Sequence, residues 1–148
     1  MTDSRASSSG LMAGRKGLIM GVANDRSIAW GIASALAAQG AELAFTYQSD
    51  SIARRVTPLA ESVGSSLVLP CDVSDDSQLD ALFANLAREW GQLDFIVHAI
   101  AYSDKSELKG RYVDTTRENF RNTLDISCFS FTTIAQRAAA LMPNGGSL

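Results

Sequence analysis

Four short segments of the sequence have the residue types that bind a nucleotide. The first is Gly21-Val-Ala-Asn-Asp-Arg-Ser-Ile-Ala-Trp-Gly31. Its first glycine lets the backbone turn closely, and Ser27 and Ile28 open a predicted helix whose free N–H groups can hold a pyrophosphate. The spacing differs from G-x-G-x-x-G, and an ordinary strand–turn–helix junction also contains glycine and serine. This segment alone therefore leaves cofactor binding undecided.

The other three segments offer polar groups and small residues. Gln48 stands where an acidic residue that binds the adenosine ribose is usual, and it can form hydrogen bonds without a charge. Asp72 can accept a hydrogen bond from the adenine amino group, with Val73 as a backbone partner. Ala99-Ile-Ala101 has room for a nicotinamide ribose. Each segment also has a structural interpretation: an exposed loop residue, a helix cap and packing residues, respectively.

Short apolar runs place these four segments at the ends of predicted strands. The runs cover residues 17–22, 42–47, 67–69 and 95–101, and residues 147–148 have the start of a fifth strand. The first and fourth runs are almost unbroken by polar residues, which is typical of strands buried on both faces.

Four stretches with apolar residues at helical spacing alternate with the strands. They begin near Ile28, Ile52, Ser74 and Thr115, and the last should extend to about Met142. Gly40 is expected to end the first helix, and Pro58 to kink or divide the second, because its ring clashes with the preceding turn. Ser74 is the predicted N-cap of the third helix. Thr115 and Glu118 match the capping box of the fourth.

Alternating strands and helices predict an α/β fold of the Rossmann type, a doubly wound parallel sheet. Residues 1–13 are predicted to be a disordered leader, and residues 14–148 the N-terminal part of a single dinucleotide-binding domain. In such a sheet, ligands bind beyond the carboxyl ends of the strands where the strand order reverses. One dinucleotide would then reach all four segments.

Composition excludes several classes of function. The chain of 148 residues is 46% hydrophobic and 20% charged, and its formal charge of −3 gives no reason to expect a nucleic acid or an anionic membrane as partner. No apolar run approaches the ~18 residues of a membrane span, so a cytoplasmic location is expected. Cys71 and Cys128 lack CxxC spacing and are predicted to be buried free thiols. His98, inside an apolar strand, is expected to be a hydrogen-bonded core residue.

Five segments together resemble the enoyl-acyl-carrier-protein reductases of bacterial type II fatty-acid synthesis, a divergent branch of the short-chain dehydrogenase/reductases. They are Gly21–Gly31, Glu42-Leu-Ala-Phe-Thr-Tyr-Gln48, Cys71-Asp-Val73, Val97-His-Ala-Ile-Ala-Tyr102 and Asp125-Ile-Ser127. The resemblance covers the chain from about residue 14 to its end. The T-G-x-x-x-G-x-G and N-A-G motifs of generic members of the superfamily are absent from the sequence.

The resemblance implies a cofactor, a reaction and a set of contacts. The cofactor is NADH, whose hydride goes to C3 of a trans-2-enoyl thioester carried on acyl carrier protein, and a Gln at position 48 resembles the NADH-preferring members. The implied cofactor contacts are Gly21, Ser27, Ile28, Gln48, Asp72, Val73 and Ile100. Ser103 is the implied substrate neighbour.

The resemblance also implies what this chain would lack. The family's catalytic Tyr and Lys follow the fifth strand, so no catalytic residue is expected within this chain, which alone is predicted to be inactive. The sheet is expected to be incomplete, with about the first five of seven strands. The family forms homotetramers in which the third and long fourth helices contribute to subunit contacts.

Two other functions stay open at this point. One is a nucleotide-binding module without catalysis, which the missing Tyr and Lys favour. The other is a different short-chain dehydrogenase/reductase that acts on a ketone or alcohol, which the absent glycine motif disfavours.

Overall fold

Four parallel strands form the central sheet of the protein, whose computed structural model describes residues 10–148. The strands are β1 (Lys16–Met20), β2 (Glu42–Tyr47), β3 (Leu67–Pro70) and β4 (Phe95–His98). Their order in the sheet is β3-β2-β1-β4, so the chain moves outward from β1 to β3 and then crosses to the other side of β1. A parallel bridge between Phe95 and Ser147 begins a fifth position beside β4. The predicted Rossmann-type sheet is confirmed.

Helices cover both faces of the sheet. They are α1 (Ile28–Ala38), α2 (Asp50–Ser62), α3 (Asp76–Trp90), α4 (Arg117–Leu124) and α5 (Ser130–Ala138). A π-helical turn, Asp125–Phe129, joins α4 to α5, and a 3₁₀ turn, Ala139–Leu141, ends the long helix. Two further 3₁₀ turns, Lys105–Leu108 and Tyr112–Asp114, lie in the connection between β4 and α4. Each predicted helix is present, and the fourth contains a π-helical turn that its spacing did not indicate.

The first and fourth strands end earlier than predicted. β1 stops at Met20 because Gly21 takes a φ of +101°, which leaves the extended conformation. β4 stops at His98, and the Ala99 N–H donates a last hydrogen bond to the Met20 carbonyl at 3.0 Å. Residues 99–101 therefore lie outside the sheet and line its edge.

The third helix begins at a different cap from the predicted one. Asp75, and not Ser74, is its N-cap, and its carboxylate accepts hydrogen bonds from the Ser77 and Gln78 N–H groups. Ser74 lies in the turn before the helix, where its own N–H and hydroxyl both donate to Oδ1 of Asp72, at 2.9 and 2.7 Å.

The predicted capping box of the fourth helix is also wrong. Thr116 is the N-cap, and its hydroxyl oxygen accepts from the Asn119 N–H at 3.2 Å. The hydroxyl of Thr115 instead donates to the Tyr112 carbonyl. The carboxylate of Glu107, from the preceding connection, accepts from the Thr116 N–H and hydroxyl at 2.9 and 2.7 Å. A residue distant in the sequence thus takes the role expected of Glu118.

Pro58 does not divide the second helix, which runs unbroken from Asp50 to Ser62. Val56 and Ala60, on either side of Pro58, are fully buried against the sheet. Burial of these side chains on both sides of the proline holds the two halves in one helix despite the missing hydrogen bond.

Apolar side chains fill both faces of the sheet, as the unbroken runs predicted. Leu18, Ile19 and Met20 of β1 have no exposed surface. One face packs on α3 and α5 through Leu79, Leu82, Leu86 and Ile134. The other face packs on α1 and α2 through Ala29, Ala33, Val56 and Ala60. Because both faces of the sheet are packed, the ends of the strands, and the edge that they form, are held in place.

Most of the predicted leader, residues 1–9, lies outside the described residues. Residues 10–13 enter a turn in which the Met12 N–H donates to the Gln39 carbonyl at 3.0 Å.

Both cysteines are free, but only Cys71 is buried, so the prediction of burial is wrong for Cys128, which lies on the exposed side of the π-helical turn. Between residues 10 and 148 no helix has the length and apolarity needed to cross a membrane.

Candidate functional site

A cavity of about 230 Å³ opens at the carboxyl edge of the sheet, where the strand order reverses. The register aligns Met20 with His98 and Tyr47 with Pro70, so that the segments after the strands emerge side by side. The cavity is lined by residues at the ends of all four strands and by one helix residue: Gly21, Val22, Ala23, Thr46, Tyr47, Gln48, Ile52, Cys71, Ala99, Ile100 and Ala101. Three of the predicted cofactor contacts, Gly21, Gln48 and Ile100, therefore share one cavity.

Gly21 allows the ends of β1 and β4 to approach each other closely. A Cβ at this position would lie 2.0 Å from the Ala99 carbonyl oxygen and 2.6 Å from its carbon. The φ of +101° is also one that residues with a side chain rarely adopt. Only glycine fits here, and it keeps the floor of the cavity free of side-chain atoms.

The turn after Gly21 is held by the hydroxyl of Ser27. Its oxygen accepts hydrogen bonds from the Ala23 and Asn24 N–H groups, at 2.9 and 3.1 Å. Among the described residues, no side chain caps the N-terminus of α1. The first N–H groups of this helix and the positive end of its dipole stay available at the carboxyl edge of the sheet. Ile28, the first residue of α1, has a side chain that is 80% exposed.

Gln48 and Asp72 come together although 24 residues separate them. Nε2 of Gln48 donates to Oδ2 of Asp72 at 3.4 Å. The two hydrogen bonds from Ser74 to Oδ1 hold the pKa of the Asp72 carboxyl below its usual range, so that it stays charged at neutral pH. Val73 packs against the apolar layer below, and neither it nor Asp72 lines the cavity itself. The two residues directly follow Cys71, which does line it.

Cys71 is a cavity residue that our sequence analysis did not select for the site. Burial, followed by the nearby charges of Asp72 and Asp75, raises the pKa of its thiol to about 12. The group is therefore a neutral and unreactive part of the wall. Its position directly after β3 could have identified it from the sequence as a site residue. No feature of the sequence indicated that Ile52 reaches the cavity from α2.

The segment after β4 forms the opposite wall through Ala99, Ile100 and Ala101. The residue that follows, Tyr102, is hydrogen-bonded through both its N–H and its carbonyl to the hydroxyl of Ser127, at 3.0 and 3.2 Å. His98 precedes this segment in the sequence, and its Nε2 lies 2.7 Å from the Ser130 hydroxyl. Burial lowers the pKa of His98, which agrees with the expected hydrogen-bonded core residue.

Ser103, the predicted substrate neighbour, lies beyond this wall and outside the cavity. Its hydroxyl oxygen accepts hydrogen bonds from Nδ2 of Asn119 and Oγ1 of Thr123, both at 3.2 Å. The Asn119 carboxamide oxygen also accepts from the Asp104 N–H at 2.9 Å. The segment that begins at Ser103 is thus fastened to α4.

The comparisons with known proteins agree on one family. The family model described as enoyl-(acyl carrier protein) reductase matches residues 21–148. An NADH enoyl-[acyl-carrier-protein] reductase of Rhizobium meliloti is 63% identical over 94% of this chain and 52% of its own length. One from Rickettsia felis is 50% identical over 94% of this chain and 54% of its own length. The chain spans about half the length of the curated relatives it matches.

Solved structures give the same result. The enoyl-(acyl-carrier-protein) reductase of Anaplasma phagocytophilum, in complex with NAD, is 61% identical with a TM-score of 0.90, over 93% of this chain and 52% of that one. The corresponding protein of Candidatus Liberibacter asiaticus is 55% identical with a TM-score of 0.91, over 93% and 53%.

Proposed function

The chain belongs to the enoyl-(acyl carrier protein) reductase family, and we propose that it forms the cofactor-binding part of an NADH-dependent reductase of enoyl thioesters. The observation that carries this proposal is the single cavity at the reversal of strand order, with Gly21, Gln48 and Ile100 in its wall. This is the place where sheets of this type bind nucleotides. We assign no catalytic residue among the described residues.

The residues present fit a dinucleotide. The Ile28 N–H and the Ser27 hydroxyl would hold the pyrophosphate, because the turn is already fixed and the helix end carries no side-chain cap. The Ser27 N–H itself donates to the Asn24 carbonyl at 3.2 Å. Gln48 would bind the adenosine ribose, and Asp72 with Val73 the adenine. Ile100 would contact the nicotinamide ribose from the opposite wall. NADH, when bound, supplies the hydride for the double bond of the substrate.

Charge at the adenosine end supports a preference for NADH over NADPH. Gln48 offers hydrogen bonds without a positive charge, and the charged carboxylate of Asp72 lies 3.4 Å from its amide nitrogen. A 2′-phosphate at this ribose would approach that negative charge without a cation from either residue to offset it.

A titration of the protein with NADH and with NADPH, followed by calorimetry, tests this proposal. We expect NADH to bind more tightly. Gln48→Ala should weaken NADH binding about fivefold, as expected for one lost hydrogen bond. Gln39→Ala is the matched control, because Gln39 follows α1 at the opposite edge and should not affect binding. Tighter binding of NADPH, or no binding of either cofactor, would contradict the proposal.

The substrate we propose is an enoyl thioester on acyl carrier protein, with Ser103 at the edge of its pocket. The family match supports this class over a ketone or an alcohol. Because no catalytic residue is assigned among the described residues, the test uses the whole reductase of which this chain would be the cofactor-binding part. Oxidation of NADH by that protein with a crotonyl thioester, compared with simple ketones, separates the two classes. Faster turnover of ketones would contradict the proposed substrate.

We also propose a homotetramer that buries part of the long helix. Phe120, Leu124, Phe129 and Phe131 of this helix are 41–57% exposed, and such apolar surface is typical of subunit contacts. Sedimentation of the wild-type protein and of Phe129→Glu tests this, since the charge should dissociate the assembly.

Two free cysteines support a cytoplasmic location, and the net charge of −3 supports the absence of a nucleic-acid partner.

A further inference from the structure

The long helix changes its winding beside the cavity wall. Between α4 and α5 it passes through the π-helical turn Asp125–Phe129, and α-helical winding resumes at Ser130. Such turns are rare inside helices and are frequent at functional sites. The turn carries Ser127, whose hydroxyl points at the segment that follows β4.

The Ser127 hydroxyl forms two hydrogen bonds with the backbone of one residue. Its oxygen accepts from the Tyr102 N–H at 3.0 Å, and it donates to the Tyr102 carbonyl at 3.2 Å. Tyr102 directly follows the wall Ala99–Ala101. The hydroxyl therefore pairs with this segment as a neighbouring strand would, after the ladder of the sheet has ended.

A second hydroxyl of the same helix holds the other end of the wall. Ser130, which is 1% exposed, donates to the Ile126 carbonyl at 2.7 Å. Its oxygen also lies 2.7 Å from Nε2 of His98, so that the two side chains share a hydrogen bond. The wall between His98 and Tyr102 is thus anchored at both ends to the helix that contains the π-helical turn.

We infer that Ser127 is a positioning residue that sets the wall Ala99–Ala101 for the nicotinamide end of the cofactor. This inference rests on the proposed function. The wall consists of two alanines and Ile100, so its backbone position depends on the anchors at its ends. The adenosine end of the cavity, at Gln48 and Asp72, is built on β2 and β3 and shares no hydrogen bond with Ser127 in the described part of the chain.

This separation gives the test. Ser127→Ala should weaken NADH binding about fivefold, the effect of about one net hydrogen bond, and leave ADP binding unchanged, because ADP lacks the nicotinamide end. Ser127→Thr retains the hydroxyl and should restore NADH binding. Ser62→Ala, which removes a hydroxyl bonded to the Leu59 carbonyl at the end of α2, is the matched control and should change neither affinity. Both affinities are measured by calorimetry on the full chain.

A second measurement tests directly the hydrogen bonds between Ser127 and Tyr102. Hydrogen exchange at the Tyr102 amide should become about tenfold faster in Ser127→Ala, whereas exchange in β1 should stay as in the wild type. Equal weakening of NADH and ADP, or unchanged NADH binding and exchange in Ser127→Ala, would overturn the inference and leave the proposed function intact. A wild-type chain that binds neither nucleotide would overturn both.

Discussion

Replacement of Gly21 by alanine is the sharpest perturbation of the cavity. Two physical effects add at this position. An alanine must adopt a φ of +101°, which costs about 1–2 kcal/mol for a residue with a Cβ. Its Cβ would also lie 2.0 Å from the Ala99 carbonyl oxygen, where ordinary contact begins at 3.4 Å. The obstructing atom belongs to the backbone, so no side chain can rotate away.

The ends of β1 and β4 must therefore separate by about 1.4 Å to admit the methyl group. Forcing an extra carbon into a packed site costs typically about 1–3 kcal/mol. With the backbone strain, we expect Gly21→Ala to lower the free energy of unfolding by about 2–5 kcal/mol. Displacement of Ala99 also moves the cavity wall, and we expect NADH to bind at least about tenfold more weakly, which corresponds to about 1.4 kcal/mol.

Gly64→Ala is the matched control, because it separates strain from collision. Gly64 has a φ of +77°, but nothing lies within 4 Å of an added Cβ. In Gly64→Ala the free energy of unfolding should fall only by the cost of backbone strain, about 1–2 kcal/mol, and the affinity for NADH should stay unchanged. Urea unfolding and calorimetry measure both quantities. If Gly21→Ala were no less stable than Gly64→Ala and bound NADH normally, the assigned role of the close approach between β1 and β4 would be refuted.

Three further predictions concern single residues elsewhere in the fold. Gly31→Ala should raise the free energy of unfolding by about 0.5–1 kcal/mol in urea denaturation, because Gly31 lies inside α1 with nothing within 4 Å of an added Cβ; a loss of stability would contradict this. In Phe129→Glu, whose charge should dissociate the proposed tetramer, Ellman's reagent at pH 8 should label one thiol of the folded protein, Cys128, and a second only after denaturation, because burial raises the pKa of Cys71 to about 12; two fast thiols in the folded state would show that Cys71 is accessible. Burial lowers the pKa of His98 below 6.5, so the unfolded chain binds a proton first as the pH falls. Stability should therefore be complete above pH 6.5 and decrease as the pH falls through the folded pKa. His98→Gln should reduce this dependence, and an unchanged pH profile of stability would contradict it.

Local sequence patterns specified most of the architecture. The unbroken apolar run from Gly17 and the helical spacing after Ile28 reflect burial on the faces of a sheet and a helix, and the structure has both elements. The order of strands and helices placed Gly21, Gln48 and Ile100 at strand ends, and these three residues do line one cavity. Such positions can be predicted from the sequence, because they depend only on the periodicity of a single strand or helix and on where that element ends.

The errors at the helix caps occurred where a second group competes for the expected hydrogen bond. Ser74 has the right residue type for a helix cap, yet Asp72 engages it and Asp75 takes its place. Glu107 reaches the start of α4 from another turn and supports Thr116 as the cap. The choice between Ser74 and Asp75 depends on the turn that precedes the helix, and the support of Thr116 depends on the approach of Glu107 from another turn. Neither outcome is contained in the pattern of one helix.

The sequence by itself determined the fold class, the family resemblance and the strand ends at which a dinucleotide would bind. The tertiary structure decided how those ends meet: the Ala99 carbonyl against Gly21, the Asp72 carboxylate beside Gln48, and Ser127 on the backbone of Tyr102. Periodicity and glycine placement are local, because they follow from the backbone geometry of one element. Contacts across 24 or 25 residues depend on how the elements pack, and packing is settled only when both faces of the sheet are covered.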